Sequence, residues 1–439
     1  MGAIKLQEKE DPILQEKVYY IPTGPGLETY ILPKKGYQKK YAVFSTHFGS
    51  IDNCFEVNGE IIRIPEGVAH FLEHKLFEDS QGDAFDRFAH LGASPNAYTS
   101  FTQTAYLFSS TEYFNENLET LLNFVQEPYF NEETVKKEQG IIEQEIRMYE
   151  DHPQWKVFFN LLEALYQKHP VKIDLAGTVD SIRQISPQVL YQCYYTFYHP
   201  CNMSLFVVGD VDPEKVALQV ESNMQKKNFP LWQDIKRHYP EEPKEINKPR
   251  IEEKMIISNP LINIGFKDNL PAYFTGDELF RREIVTELLL DTIFGSSESL
   301  YHQLYEDDLI DENFEAGYIA ETQFAYTLLG GETRAPDLLY QKIMEGIEKA
   351  RKQGITKEQL ERHRRKMMGQ FIKRFNSLEF IANNYLSYRF KDIDFFAFSQ
   401  ILEEIALEEV HQRLEQHLQE GLQAVSVIYP RESNRSSAV

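Results

Sequence analysis

His70, Glu73 and His74 stand in the order H-x-x-E-H within GVAHFLEHKLFED. On a helix, positions 70 and 74 are one turn apart and share a face, and position 73 lies beside them. Two imidazoles so placed can bind one Zn²⁺ through nitrogen and leave the adjacent carboxylate free to act on a zinc-bound water. This order inverts H-E-x-x-H and is a known zinc-hydrolase signature. Two unrelated histidines can also meet by chance, so the reading needs a third donor and an open position for water. The stretch NEETVKKEQGIIEQEIRMY, 131–149, offers one. Asn131 can cap a helix whose positive end suits Glu132 and Glu133. Glu138 and Glu145 are two turns apart on one face, beside Ile141, Ile142 and Ile146. Alone this reads as a solvated acidic face; next to the histidine motif it reads as the source of the third ligand.

The elements that must hold these residues group by kind. A β-rich opening (VYYIPTG, LETYILP, KYAVFSTHFG) leads to helical segments around the histidine motif, for which Pro65 and Gly67 suit a helix start. Strand-like alternation follows in NAYTSFTQTAYLFSS, then helices, then a strand at Leu205–Val208. The second half repeats the order, from KMIISNPLINIGF through helices and EAGYIAETQFAYTLLGG to a closing AVSVIYP. Grouped strands and helices with hairpin-like pairs predict antiparallel α+β domains, the two halves being diverged copies of one unit. Phe229–Arg250 carries four prolines among charges and reads as a linker that resists both helix and strand. The expected division is therefore a zinc-binding domain over 1–228, a linker over 229–250 and a second domain without metal over 251–439.

HFLEH, GASPNAYTSFTQTAYLF, EQGIIEQEI, HPVKIDLAGTVDSI and YYTFYHPCNMSLFVVGDVDP occur in that order. Together with the two-half layout they resemble the pitrilysin family of zinc peptidases, which includes insulin-degrading enzyme and mitochondrial processing peptidase. The likeness covers nearly the whole chain and is greatest to small bacterial two-half members. It implies that His70 and His74 are zinc ligands, that Glu73 is the catalytic base, and that Glu145 is the third ligand with Glu138 supporting it. Glu143 competes for the ligand role but lacks the two-turn spacing from Glu138. Asn96 and Ala97 match the strand edge that pairs with an extended substrate backbone, a mode that needs no sequence-specific side chains; Asn96 also reads as a turn residue after Pro95. One departure stands out. Where the family's second half carries an Arg and a Tyr that grip substrate, SLYHQLYEDDLIDENF has Tyr305 and Glu312. The resemblance then implies a paired subunit, either a related chain supplying the missing Arg and Tyr in a heterodimer, or a homodimer.

The implied activity is a zinc endopeptidase acting on peptides or unfolded segments, with a silent, peptide-binding scaffold subunit as its rival. A small-molecule lyase using the same inverted motif would be much shorter and would use a Cys ligand. With 46 Lys+Arg against 68 Asp+Glu, the net charge of −22 opposes nucleic-acid binding. No apolar run suits a membrane span or a secretory h-region, and Cys54, Cys193 and Cys201 are too sparse for a disulfide framework, so the expected location is the cytoplasm. Cys193 and Cys201 read as buried thiols, His199 as a turn residue, and Arg362–Lys366 as a solvated helix face.

Overall fold

The run MSLFVVG is buried at every residue, as befits a strand covered on both faces, and it is the last strand of the first sheet. In the computed structural model, which describes residues 6–11, 13–79, 82–271 and 274–431, seven strands form that sheet. They are β1 (Gln7–Asp11), β2 (Glu16–Thr23), β3 (Leu27–Pro33), β4 (Lys40–Thr46), β5 (Ser94–Thr99), β6 (Thr104–Ser110) and β7 (Met203–Gly209). Their order across the sheet is β1-β2-β3-β7-β4-β6-β5, which leaves β5 on an edge. A second sheet contains β8 (Arg250–Met255), β9 (Leu261–Asp268), β10 (Glu315–Ala320), β11 (Ala325–Glu332) and β12 (Gln423–Pro430) in the order β8-β12-β9-β11-β10.

The two sheets share one wiring. From β3 onward the first reads first-last-second-fourth-third, and so does the whole of the second. In each, the last strand returns after the helices and pairs in parallel with the first, β7 with β3 and β12 with β8. The sheets are thus not wholly antiparallel as expected: a strand that returns over helical crossovers can join its sheet in parallel, whereas a hairpin cannot.

The described residues fall into two compact units that do not coincide with the linear division at 228 and 251. Unit 1 takes the chain up to Ile146, Asp174–Tyr239 and Gln370–Phe396; unit 2 takes Arg147–Ile173, Pro240–Gly369 and the chain from Ala397. The physical reason is an exchange of helices. Apolar stripes need a sheet to cover, and each half sends one helix to the other half's sheet. In unit 1, Leu378–Arg389 lies on β7 and β4 with Ile381, Ala382 and Leu386 buried, and its Tyr385 ring packs 4.9 Å from Tyr30 and 4.8 Å from Phe206. In unit 2, Pro153–Leu165 lies on β12 and β9. It comes so close that a Cβ on Gly265 would sit 2.8 Å from Leu165 Cδ1.

The expected linker does not resist strand throughout, and it is tied down at both ends. Lys236 and Arg237 pair as a short strand with Phe55 and Glu56, and buried Asp52 accepts hydrogen bonds from Arg237 Nε (3.1 Å) and Tyr239 Oη (2.8 Å). Beyond Pro240, the Glu242 carboxylate takes the backbone N–H groups of Gln167, Lys168 and His169 and the ammonium of Lys267.

Candidate metal centre

Helix α1 (Val68–Leu76) begins where the chain requires a glycine. Gly67 has φ 85°, and a Cβ there would lie 2.2 Å from the Ala176 carbonyl oxygen. The helix then buries Val68, Ala69, Phe71, Leu72 and Leu76 in the core of unit 1, so His70, Glu73 and His74 turn the other way. Facing them is helix α2 (Glu132–Glu150), opened by Asn131 Oδ1 accepting from Thr134 N at 2.9 Å and anchored by buried Val135, Ile142 and Ile146. That stripe brings Glu138 and Glu145 to α1.

His70, His74 and Glu145 converge, with one donor atom of each within 4.8 Å of the others. Glu145 Oε1 is 3.7 Å from His70 Nε2, and Glu145 Oε2 is 3.6 Å from His74 Nε2. Zinc bonds of about 2.0–2.1 Å at tetrahedral angles place donors roughly 3.3 Å apart, so the two imidazoles and the carboxylate can hold Zn²⁺ by drawing inward from this spacing. Two neutral nitrogens and one carboxylate with a position left open is the donor set of a catalytic site. Glu138 Oε1 lies 3.0 Å from His74 Nδ1 and fixes that ring with Nε2 toward Glu145. Nδ1 of His70 is buried without such a partner. Glu143, the competing carboxylate, is held by Arg183 Nη2 at 3.0 Å and is not part of the trio.

The electrostatics suit a cation. Burial, then the neighbouring His74 ring, pushes His70 down to about 3, which keeps it a neutral imidazole. Burial opposes charge on His74 too, but the Glu138 hydrogen bond and the charges of Glu145, Glu138 and Glu73 outweigh it and raise its pKa. Burial also raises Glu145, with Asp174 and Glu138 adding repulsion. Glu73 is raised by burial against the pull of the Thr99 hydroxyl and His74.

Glu73 faces a cleft of about 520 Å³ bordered by His74, Phe77, Phe85, Asn96 and Ala97. Its wall is the edge strand β5. Ser100 N donates to Gln103 O at 2.8 Å and closes the turn to β6, and ladder pairs alternate back from there. Tyr98 and Asn96, opposite Ala105 and Leu107, spend their backbone groups on β6; Ala97 and Thr99, opposite Tyr106 and Thr104, turn theirs to the open edge. Ala97 N–H is met there by Asn96 Oδ1 at 2.9 Å. Asn96 is therefore a strand residue rather than a turn residue.

Residues 64–179 match the family model described as Insulinase (Peptidase family M16), and residues 184–367 match the Peptidase M16 inactive domain. The chain belongs to peptidase family M16. Every residue of the trio, with Glu73 and Glu138, falls in the first M16 match, while Tyr305 and Glu312 fall in the one described as inactive. A curated Bacillus subtilis relative, the uncharacterized zinc protease YmfH, is 46% identical over 420 residues, 95% of this chain and 98% of its own. A crystal structure of a putative M16-like peptidase from Alicyclobacillus acidocaldarius is 36% identical with a TM-score of 0.92, covering 98% of this chain and all of that one (100%). Pitrilysin, 14% identical with a TM-score of 0.73, shares the fold over 98% of this chain and 47% of its own.

Other residues lie where sequence reasoning did not put them. His363, in the expected solvated face Arg362–Lys366, is wholly buried; Glu298 Oε1 sits 2.7 Å from its Nε2 and Asp291 Oδ2 3.6 Å from its Nδ1. The charge run hid a histidine aimed inward between two carboxylates. Cys193 is buried, but Cys201 is exposed, its thiol donating to Pro25 O. His199 is a turn residue as read: its Nδ1 accepts from Cys201 N at 3.2 Å. Thr99 was missed, although its place two residues after Ala97 puts it on the same strand face as a residue already singled out. Among the described residues no helix is long and apolar enough to cross a membrane.

Proposed function

We propose that this chain is a zinc-dependent endopeptidase hydrolysing peptides or unfolded segments. One observation carries the reading: His70, His74 and Glu145 converge beside the Glu73 carboxylate, under a strand edge whose backbone groups at Ala97 and Thr99 are open. Zinc held by those three side chains would supply Lewis acidity and lower the pKa of a bound water. Ala97 offers its edge N–H and C=O to an extended peptide, the N–H taking a substrate carbonyl in place of Asn96 Oδ1. Glu73 takes a proton from the attacking water and delivers it to the departing amine nitrogen. Glu138 holds His74 in the required tautomer.

The second half supports a partner. Tyr305 is exposed at the end of the helix Ser299–Glu306, and Glu312 is exposed just beyond it. An Arg offers fixed, forked donors to a developing oxyanion, which a Tyr supplies only singly and a Glu not at all. The same substitution favours a second reading, a peptide-binding subunit without turnover. We assign the missing grip to a related chain carrying the Arg and Tyr; a homodimer, whose copies share Tyr305 and Glu312, would have to grip substrate by other residues. Free thiols at all three cysteines support a reducing compartment such as the cytoplasm.

Metal analysis with peptide cleavage, on the pure chain and with a related subunit, tests this. Roughly one zinc per chain, weak cleavage alone and a strong rise in kcat/KM with the partner are expected. Zinc without cleavage under either condition would favour the silent subunit, and no zinc would overturn the peptidase reading.

A further inference from the structure

Glu73 is gripped through one oxygen only. Thr99 Oγ1 donates to Glu73 Oε2 at 2.6 Å, while among the described residues no hydrogen bond reaches Glu73 Oε1, and Glu73 lines the cleft. The donor is aimed as well as near. A Thr hydroxyl has one proton, and two acceptors compete for it: Glu73 Oε2 at 2.6 Å and Thr104 Oγ1 at 3.4 Å. Thr104 spends its own proton on the Phe48 carbonyl at 2.9 Å, so the two hydroxyls do not trade roles.

The turn behind Thr99 is fixed by other backbone. Ser50 N donates to Ser100 O at 3.0 Å, and Ile51 N to Phe101 O at 3.1 Å. The contact is so close that a Cβ on Gly49 would lie 2.3 Å from Phe101. Thr99 therefore cannot drift with the base; the base must follow it. Its backbone also ends the open edge on which the proposed substrate strand docks.

We infer that Thr99 is a positioning residue that ties the general base to the substrate-docking strand, holding Oε2 so that Oε1 is the oxygen presented to the attacking water. In the transfer, the O–H bond of water breaks as its oxygen bonds the scissile carbonyl carbon, whose π pair moves onto the carbonyl oxygen, and the proton forms a new O–H bond on Oε1; Oε2 keeps its hydrogen bond from Thr99 throughout. One side chain thereby sets the base in register with a peptide bond held along β5. The inference rests on the peptidase reading for its kinetic consequence, but its structural content stands by itself.

The test compares wild type, Thr99→Val, which keeps the branched shape without the hydroxyl, and Thr99→Ser, which restores the hydroxyl. Loss of a hydrogen bond to a charged group predicts a fall in kcat of about 10- to 100-fold for Thr99→Val. KM and zinc content should be unchanged, and Thr99→Ser should recover to within about threefold. A merely structural role would lower both variants together or disturb zinc binding. Crystal structures of the metal-free wild type and Thr99→Val supply a readout independent of turnover: the Glu73 carboxylate should hold a single orientation in the first and lose it in the second. An unchanged carboxylate, or a kcat within about twofold of wild type, overturns the inference. If wild type itself cleaves nothing, the peptidase reading falls, and the carboxylate orientation still decides what Thr99 does.

Discussion

Replacing Glu138 by Ala should weaken zinc binding without touching a ligand. The carboxylate is mostly buried (13% exposed) and accepts from His74 Nδ1 at 3.0 Å, which leaves Nε2 of that ring toward Glu145. Hydrogen bonds to charged groups contribute about 1.5–3 kcal/mol, and at 1.4 kcal/mol per tenfold this corresponds to roughly a 10- to 100-fold rise in zinc Kd. Partners behind metal-bound histidines commonly show losses of that size. Glu138→Gln keeps an acceptor but drops the charge; a neutral hydrogen bond is about half as strong, so its loss should be about 3- to 12-fold. His70 offers an internal contrast, since its Nδ1 is buried with no partner to delete. Competition of the apo chain against a chromophoric zinc chelator, at fixed pH, measures all three proteins in one series. The expected order is wild type, Glu138→Gln, Glu138→Ala. If Glu138→Ala binds zinc within about twofold of wild type, His74 is not oriented by this carboxylate and the outer support of the site has been misread.

Glu73→Gln should keep full zinc occupancy yet lose at least about 10²–10⁴-fold in kcat; near-normal cleavage would rule out Glu73 as the base. Asp268→Asn should destabilise unit 2 by about 3–5 kcal/mol, because Asp268 is held by Arg282 (2.6 Å), Arg413 and Tyr318 (2.6 Å), and buried guanidiniums would lose their counter-ion. Denaturation followed by Trp155 fluorescence in a Trp232→Phe background reads this change, and a loss under about 1 kcal/mol would contradict it. His363 carries a pH signature: burial opposes its charge, but Asp291 and Glu298 raise its pKa above the ordinary value. Its stabilisation is then complete below about pH 6.5 and lost as pH rises through the folded value. The stability gap between wild type and His363→Gln should be wide near about pH 6 and narrower near about pH 9; a gap that widens with pH would reverse the assignment.

Local chemistry made the site legible. The spacing 70-73-74 on one helix and 138-145 on another fixes which side chains share a face, and the apolar residues between them fix which face is inward. Identifying Glu145 over Glu143 came from the family resemblance, and the structure adds that Glu143 is occupied by Arg183. The fold class was readable from grouped strands and helices. What escaped depends on partners distant in the chain. No local pattern announces that Tyr385 will meet Tyr30 and Phe206, or that the last strand of each sheet will slot in parallel beside the first. His363 was hidden for a related reason: its neighbours in sequence are charged, but its neighbours in space are Glu298 and Asp291, 65 and 72 positions earlier by residue number.

The helix exchange also sets a timetable for synthesis. The sheet of unit 1 has all its strands once Gly209 has been made, but the helix that covers β4 and β7 ends at Arg389, about 180 residues later. At about 5–20 residues per second, that is a wait of roughly 10–35 s on the ribosome. Through this interval Tyr30 and Phe206 face water on a sheet that is otherwise ready, while His70, His74 and Glu145 have already been translated. Nascent chains halted between these two points should therefore be sticky intermediates, drawn to chaperones or to one another. Emergence of Leu378–Arg389, rather than completion of the first half, marks the moment at which unit 1 can close over its own core.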